Sequence, residues 1–354
     1  MKFLFRCDVS PEIGAGHLRR CAVLASELRR RGAWVVFSYR SEHVDPAADL
    51  LGAADECMAM EWSLPPEADA REVGRLCRRN RADAAVIDCY RRDEKYQILL
   101  LNERIRWLQF DWAAQEPLWA DWVLNPSPAA EEKVYRKLAR RKETRLMLGP
   151  SYALLRPEFR PPGKKAAVRE RPLLRQGSGG RVKRILITLG GGGDRGGTIL
   201  CLEAVRRLGE DKECTVLMGS FNPHIAHVEE WIRKSGLRNV IIIPGERDVA
   251  RRMAEADIGI IGGGTTTFEA AAMGLPCVII QIAENQSLNA VAWGKAGVAL
   301  EAGPLAGLTP DILEFHIRRL TDDAGLRRAM SSAGIALVDG RGAERVADAL
   351  TGKG

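Results

Sequence analysis

Residues 258–272 read Ile258-Gly259-Ile260-Ile261-Gly262-Gly263-Gly264-Thr265-Thr266-Thr267-Phe268-Glu269-Ala270-Ala271-Ala272. A short β-branched run, consecutive glycines, consecutive hydroxyl residues and an alanine run spell a strand that turns through glycine into a helix. That is one β–α step of a parallel sheet. The glycines let the backbone approach a ligand, and the N–H groups at the helix start attract anions. Three successive glycines are more than an N-cap alone requires. Thr265, Thr266 and Thr267 are therefore expected to cap the helix and to donate to phosphate oxygens. Glu269, one turn into the helix, is a poor neighbour for phosphate and a good acceptor for two sugar hydroxyls.

The same alternation extends in both directions. Downstream, the strand Val278–Ile282 runs into Glu284-Asn285-Gln286, whose amides at a strand's carboxyl end suit sugar hydroxyls or an acetamido group. Upstream lie the strands Arg184–Leu189, Thr215–Met218 and Val240–Ile243 and the helix Cys201–Leu208. The turn Leu189-Gly190-Gly191-Gly192-Gly193-Asp194 formally supplies G-x-G-x-x-G through Gly191, Gly193 and Gly196. The next strand ends Leu217-Met218-Gly219-Ser220 without the acid that a dinucleotide site wants. A nicotinamide or flavin cofactor is not expected, and the loop is read as facing a phosphate or sugar.

Nearer the start, Phe3–Cys7 is a strand, and Gly14-Ala15-Gly16-His17 opens a helix marked by Leu18, Cys21, Ala22, Ala25 and Leu28 and stopped by Gly32. Gly14 and Gly16 suit close backbone approach. His17 stands where open α/β sheets bind ligands, and imidazole exchanges protons near neutral pH without special tuning. Trp34–Tyr39, Ala84–Ile87, Trp107–Phe110 and Trp122–Leu124 continue the strand series, and Asp8, Asp88 and Asp111 follow or end strands. The pattern lapses between Arg156 and Val182, where prolines and glycines mix with seven Lys/Arg from Arg160 to Arg181. Such composition cannot bury a core. The expected plan is an α/β domain over 1–158, a basic linker over 159–181 and a second α/β domain over 182–354.

Bulk composition narrows the function class. The chain's 354 residues are 46% hydrophobic and 28% charged, with no apolar run long enough to span a bilayer. Arg6 and Asp8 close the first apolar stretch, which reads as a strand and not as a signal peptide. The eight cysteines form no C-x-x-C pair and no cluster with histidine. They read as reduced thiols of a cytoplasmic protein, with no disulfide frame and no metal site. The net charge of +7 is spread over helix faces and the linker without interleaved aromatics, so no nucleic-acid partner is expected. P-loop, H-E-x-x-H and nucleophile-elbow motifs are missing from the sequence.

Taken together, these residues resemble the UDP-sugar hydrolases of the pseudaminic acid pathway, the PseG/SpsG family, which is related to the MurG-type glycosyltransferases. The resemblance is carried by Gly14-Ala15-Gly16-His17 with Arg19-Arg20-Cys21, by Val86-Ile87-Asp88-Cys89-Tyr90 and by the run Leu148–Phe159. It continues through Thr188–Gly191, Gly263–Glu269, Asn285-Gln286 and Asp339-Gly340-Arg341-Gly342-Ala343. It implies a GT-B architecture of two Rossmann-like parallel-sheet domains facing across a cleft. It implies that Glu269 holds a ribose, the Gly264–Thr266 backbone a diphosphate and the strand end at Ile243 the uracil edge. Gly14, Gly16, Tyr90, Gly191, Asn285 and Gln286 would then line the phosphate and sugar side. His17 would activate a water that displaces UDP with inversion and frees a 2,4-diacetamido-2,4,6-trideoxy sugar, without metal or cofactor. An inverting UDP-sugar glycosyltransferase on the same donor site is the alternative.

Overall fold

The computed structural model describes residues 1–10, 16–42, 50, 52–160, 180–190, 194–209, 211–220 and 222–352. The chain divides into two units, Met1–Arg156 with Arg341–Gly354, and Pro157–Gly340.

The first unit holds β1 (Lys2–Val9), α1 (Gly16–Arg30), β2 (Trp34–Ser41), β3 (Glu56–Met60), α2 (Pro66–Asn80), β4 (Ala84–Asp88) and α3 (Glu94–Asn102). It continues through β5 (Trp107–Phe110), β6 (Trp122–Asn125), α4 (Glu132–Leu138) and β7 (Arg145–Leu148). The sheet order is β3-β2-β1-β4-β5-β6-β7, and every pairing is parallel. β4, β5 and β6 are buried throughout, as strands covered on both faces must be. One face packs against the apolar stripe of α1, where Leu18, Cys21, Leu24 and Leu28 are all inaccessible to solvent. The other packs against Val73 and Leu76 of α2 and Leu100 of α3.

A buried ionic cluster ties β1 to its neighbours. Arg40 on β2 donates to both oxygens of Asp8 at 2.9 Å. Arg6 on β1 donates through Nε to Asp69 of α2 at 3.0 Å, and the Tyr96 hydroxyl of α3 donates to the same carboxylate at 2.9 Å. Burial would raise the Asp8 carboxyl, but Arg40 and Arg6 outweigh it and hold that carboxyl below its ordinary value. Asp8 is thereby spent on structure.

The second unit holds β8 (Arg184–Thr188), α5 (Gly197–Arg206), β9 (Glu213–Met218), α6 (Ile225–Ser235), β10 (Val240–Pro244), α7 (Val249–Glu255) and β11 (Ile258–Gly262). After these come α8 (Thr266–Met273), β12 (Cys277–Gln281), α9 (Ser287–Lys295), β13 (Ala299–Pro304), α10 (Pro310–Asp322) and α11 (Ala324–Leu337). Its order, β10-β9-β8-β11-β12-β13, is the doubly wound order 3-2-1-4-5-6. The strand direction reverses its lateral progress between β8 and β11, as it does between β1 and β4 in the first unit. Both points are where such sheets open a crevice at their carboxyl ends. Among the described residues, no helix is long and apolar enough to cross a membrane.

The last helix corrects the expected boundary of 182–354. α12 (Gly342–Thr351) belongs to the first unit. Val346 and Leu350 join the core around α1, Arg31 bonds Asp348 at 2.6 Å, and Arg345 donates to the Ser151 carbonyl at 2.7 Å. Gly342 lies so close to residues 152–153 that a Cβ there would stand 2.2 Å from the Ala153 carbonyl oxygen. Most of the proposed linker, residues 161–179, lies outside the described residues.

Because the obstacle at Gly342 is backbone and cannot rotate away, Gly342→Ala should undock α12. We expect a loss of about 1–3 kcal/mol, seen as a lower Tm for the first unit in thermal unfolding.

Candidate active site

In the first unit the reversal point brings α1 against the end of β4. His17, Arg20 and Cys21 stand at i, i+3 and i+4, on one face of the helix's first turns. All three reach Asp88, the last residue of β4, whose side chain is completely buried. Oδ1 of Asp88 meets His17 Nδ1 at 2.7 Å, and the Arg20 guanidinium grips both carboxylate oxygens. Cys21 Sγ lies 3.6 Å from Oδ2. Burial would push the Asp88 carboxyl up, but Arg20 and then His17 outweigh it and hold it well below the usual carboxylate range. The Asp88 carboxylate is placed to accept a proton from Nδ1, an arrangement that would leave Nε2 as the basic nitrogen, and Arg20 Nη2 approaches the same Nδ1 at 3.1 Å. Arg20 also lies over the Phe110 ring, 4.7 Å from its centroid.

An aromatic wall adjoins the imidazole. The Tyr90 ring centroid is 4.8 Å from that of His17 and 4.6 Å from that of Trp112. Tyr90 and Trp112 in turn line a cavity of about 340 Å³ together with Arg92 and Asp111. Asp111, one of the three strand-end acids, accepts from Arg92 at 2.9 Å, from the Tyr135 hydroxyl at 2.6 Å and from Ala114 N–H at 2.8 Å.

The second unit builds its crevice from backbone. A Cβ on Gly262 would stand 2.7 Å from the Leu189 carbonyl oxygen, so the ends of β8 and β11 approach at a distance only glycine permits. Both polar groups of Gly263 are held, the N–H being shared between the Ile280 carbonyl at 3.0 Å and a side chain. Its N–H donates to Gln286 Oε1 at 3.1 Å, and its carbonyl accepts from Asn289 Nδ2 at 2.8 Å. Gln286 Oε1 also takes the Ile282 N–H at 2.9 Å. Thr267 turns its hydroxyl back to the Gly264 carbonyl at 2.7 Å, whereas Thr265 makes no capping bond with its side chain. The N–H groups of Gly264, Thr265 and Thr266 come before Thr267, whose N–H is the first to find an acceptor in the opening turn of α8, the Gly264 carbonyl at 3.2 Å.

The other glycine turn is built differently. Buried Asp194 accepts from Gly196 N–H at 3.3 Å and from Thr198 N–H at 3.1 Å. The start of α5 therefore already carries an anion of its own, while α8 has only Glu269, half-buried, in its first turn.

The sequence-derived candidates thus fall into separate groups. His17, Gly16 and Tyr90 gather at the first unit's reversal point. Gly264, Thr265, Thr266 and Glu269 gather at the second unit's, with exposed Asn285 on the short turn after β12. Ile243 lies half-buried on edge strand β10. Gln286 braces the glycine turn through its carbonyl oxygen. Gly14 and Gly191 lie outside the described residues. Trp112, Arg92 and Asn289 escaped the sequence reading, and Arg20 entered it only within the motif Arg19-Arg20-Cys21, without a role of its own. For Arg20 a signal existed: a cation three residues after a candidate histidine shares its helix face.

No family model matches the chain. It is 32% identical over 206 residues to the spore coat polysaccharide biosynthesis protein SpsG of Bacillus subtilis, a match covering 57% of each chain. The chain thus spans little more than half the length of that relative. It is 26% identical over 306 residues to the UDP-2,4-diacetamido-2,4,6-trideoxy-beta-L-altropyranose hydrolase of Campylobacter jejuni, covering 85% of this chain and 99% of that one. Among solved structures, MurG of Acinetobacter baumannii matches with a TM-score of 0.68 at 14% identity, over 99% of this chain and all of the other. The chain is thus similar in sequence to SpsG and to the Campylobacter hydrolase, and each of its units carries a parallel sheet as in the GT-B fold of its structural neighbours.

Proposed function

We propose that the chain hydrolyses a UDP-linked, acylamino-substituted deoxy sugar, releasing free sugar and UDP in surface polysaccharide or nonulosonic acid synthesis. The observation that carries the reading is the clamp of Asp88 and Arg20 on His17, because it makes a general base of one defined nitrogen. His17 Nε2 takes a proton from water as the water oxygen bonds to the anomeric carbon. The bond from that carbon to the diphosphate oxygen breaks on the opposite face, so the configuration inverts. The electron pair leaves on UDP. Asp88 stabilises the imidazolium that forms, as a buried carboxylate does for a catalytic histidine.

The nucleotide belongs to the second unit in this reading. The N–H groups of Gly264–Thr266 receive the diphosphate at the start of α8, where developing negative charge is favoured. Glu269 takes the ribose hydroxyls, and the uracil edge lies along the end of β10 near Ile243. The buried Asp194 disfavours a phosphate at the other glycine turn by like-charge repulsion. Gln286 and Asn289 hold the Gly263 peptide in place and so pre-form the cradle.

The test is product analysis by NMR of UDP-2,4-diacetamido-2,4,6-trideoxy-altrose incubated with the protein. Free sugar of inverted configuration is expected from wild type, and His17→Ala should slow its release by roughly 10²–10⁴-fold with UDP affinity kept. UDP binding without any free sugar would sink the hydrolase and leave a transferase needing an acceptor.

Gln286→Ala should weaken UDP binding by about tenfold in calorimetric titration, because the cradle must then be ordered on binding. Asp88→Asn should lower turnover with little change in KM and cost about 3 kcal/mol of stability at pH 7, since Arg20 would lose its buried partner. The folded Asp88 carboxyl lies below its unfolded value of about 4. Its contribution is therefore complete above that pH and lost as pH falls towards the folded value. Acid unfolding followed by circular dichroism should accordingly show a shallower acid limb in Asp88→Asn than in wild type.

A further inference from the structure

β10 closes one edge of the second sheet, and among the described residues no strand pairs with its outer side. Its sequence, Val240-Ile241-Ile242-Ile243-Pro244, holds no charge. The other sheet edges each carry one: Glu56 on β3, Arg145 on β7 and Glu301 on β13. A charge on an edge strand guards it against pairing with another chain, and a bare apolar edge is an open template. Ile241 is 64% exposed, more than any other large apolar side chain among the described residues.

The hydrogen-bond pattern shows which backbone groups face outward. Cys214 N–H donates to the Asn239 carbonyl, and Gly245 N–H donates to the Met218 carbonyl, so these bonds bracket the strand. Successive residues of a strand in a parallel ladder turn their N–H and carbonyl to alternate sides. Ile241 and Ile243 therefore address β9, whereas Val240 and Ile242 turn both groups to the free edge. Side chains alternate as well. Val240 and Ile242 pack on the core, which leaves Ile241 and Ile243 on the opposite face.

We infer that β10 pairs with β10 of a second copy of this chain, antiparallel about a two-fold axis at Ile241, so that two six-stranded sheets become one. Val240 of one copy then exchanges both backbone bonds with Ile242 of the other, and every outward N–H of the strand pair Val240 and Ile242 finds a carbonyl. Pro244, which has no N–H to offer, falls beyond that central pairing. Ile241 meets its own counterpart at the axis, in the non-hydrogen-bonded position where side chains approach most closely.

Charge complementarity selects this occupant and this orientation. Exposed Arg238 precedes the strand, and Glu246 follows it. Antiparallel pairing of two identical edges brings each Arg238 towards the turn that carries the other copy's Glu246, whereas parallel pairing would set Arg238 beside Arg238. Glu246 accepts from Arg252 at 2.7 Å and from the Asp248 N–H at 3.0 Å, and a carboxylate has about four acceptor sites. A seam of one short strand is small, so the dimer forms with rising concentration and is not obligate. This association is independent of the hydrolysis proposed above.

The full chain is followed by sedimentation velocity from about 1 to 100 μM, the span around the affinity of a small interface, and by amide exchange in NMR at both ends of that range. The dimer fraction should grow with concentration. The Val240 and Ile242 amides should exchange freely in the monomer and become protected in the dimer, while the Ile241 and Ile243 amides, bonded to β9, stay protected throughout. Ile241→Lys places a charge on the edge without touching the core, and should weaken association by about tenfold or more with Tm unchanged. Phe315→Lys removes an apolar ring that is 60% exposed on α10, and should leave association as it is. A chain that stays monomeric over the whole range overturns the inference. So does a dimer that survives Ile241→Lys, one that is lost in Phe315→Lys, or one that leaves the Val240 and Ile242 amides unprotected.

Discussion

A carboxylate denied all contact with water must be paired, and Asp88 imposes that requirement on everything near it. It sits at the end of a strand buried on both faces, so its partners can come only from the helix that covers the strand's end. α1 supplies them from consecutive positions of one face. His17 is thereby held in one orientation, and Arg20 bonds both oxygens of the carboxylate. The same pairing fixes the register of α1 over β1 and β4. The ionic cluster of Arg6, Asp8, Arg40 and Asp69 performs a similar task one layer away, anchoring β1 from the side facing α2.

The two units share a strand order and use it differently. At the first reversal point the gathered groups are side chains: an imidazole, its carboxylate and an aromatic wall. At the second they belong to the backbone, where glycines allow close approach and amide side chains hold the peptide plane. The contrast between the two glycine turns of the second unit is electrostatic. Asp194 fills one helix start from within, and the other is left to N–H groups whose hydroxyl neighbour makes no cap of its own. Glycine content alone does not distinguish a helix start that a buried carboxylate caps from one that it does not.

Much of this was legible in the sequence, for identifiable reasons. Interior strands such as β11 and the first four residues of β4 are apolar, Gly262–Gly264 end the strand β11, and His17 opens the helix after β1, so their positions near sheet ends could be read without coordinates. Strands β3 and β7 were missed because edge positions bury few side chains, and their short apolar runs Cys57–Met60 and Leu146–Leu148 contain no β-branched or aromatic residue. The placement of α12 was also hidden. Its apolar spacing announces an amphipathic helix, but Val346 and Leu350 would suit either sheet, and only the close fit of Gly342 against Ala153 identifies the partner. Gln286 was found by composition and assigned to the sugar, because an amide reads the same whether it serves a ligand or a peptide group. Arg92 lacked any periodic signal, since its neighbours Trp112 and Asp111 arrive from another strand.

The return of α12 to the first unit has a consequence for the order of events on the ribosome. Residues 1–156 emerge first, yet the helix that completes their core is made only after residue 340. The later unit is one uninterrupted segment and can finish folding while the earlier one still exposes the apolar groove flanking α1. The usual vectorial order, N-terminal domain first, is thus inverted for the final docking step. During that interval the groove that Val346 and Leu350 will fill is the surface on which a nascent chain would draw a chaperone or a wrong partner.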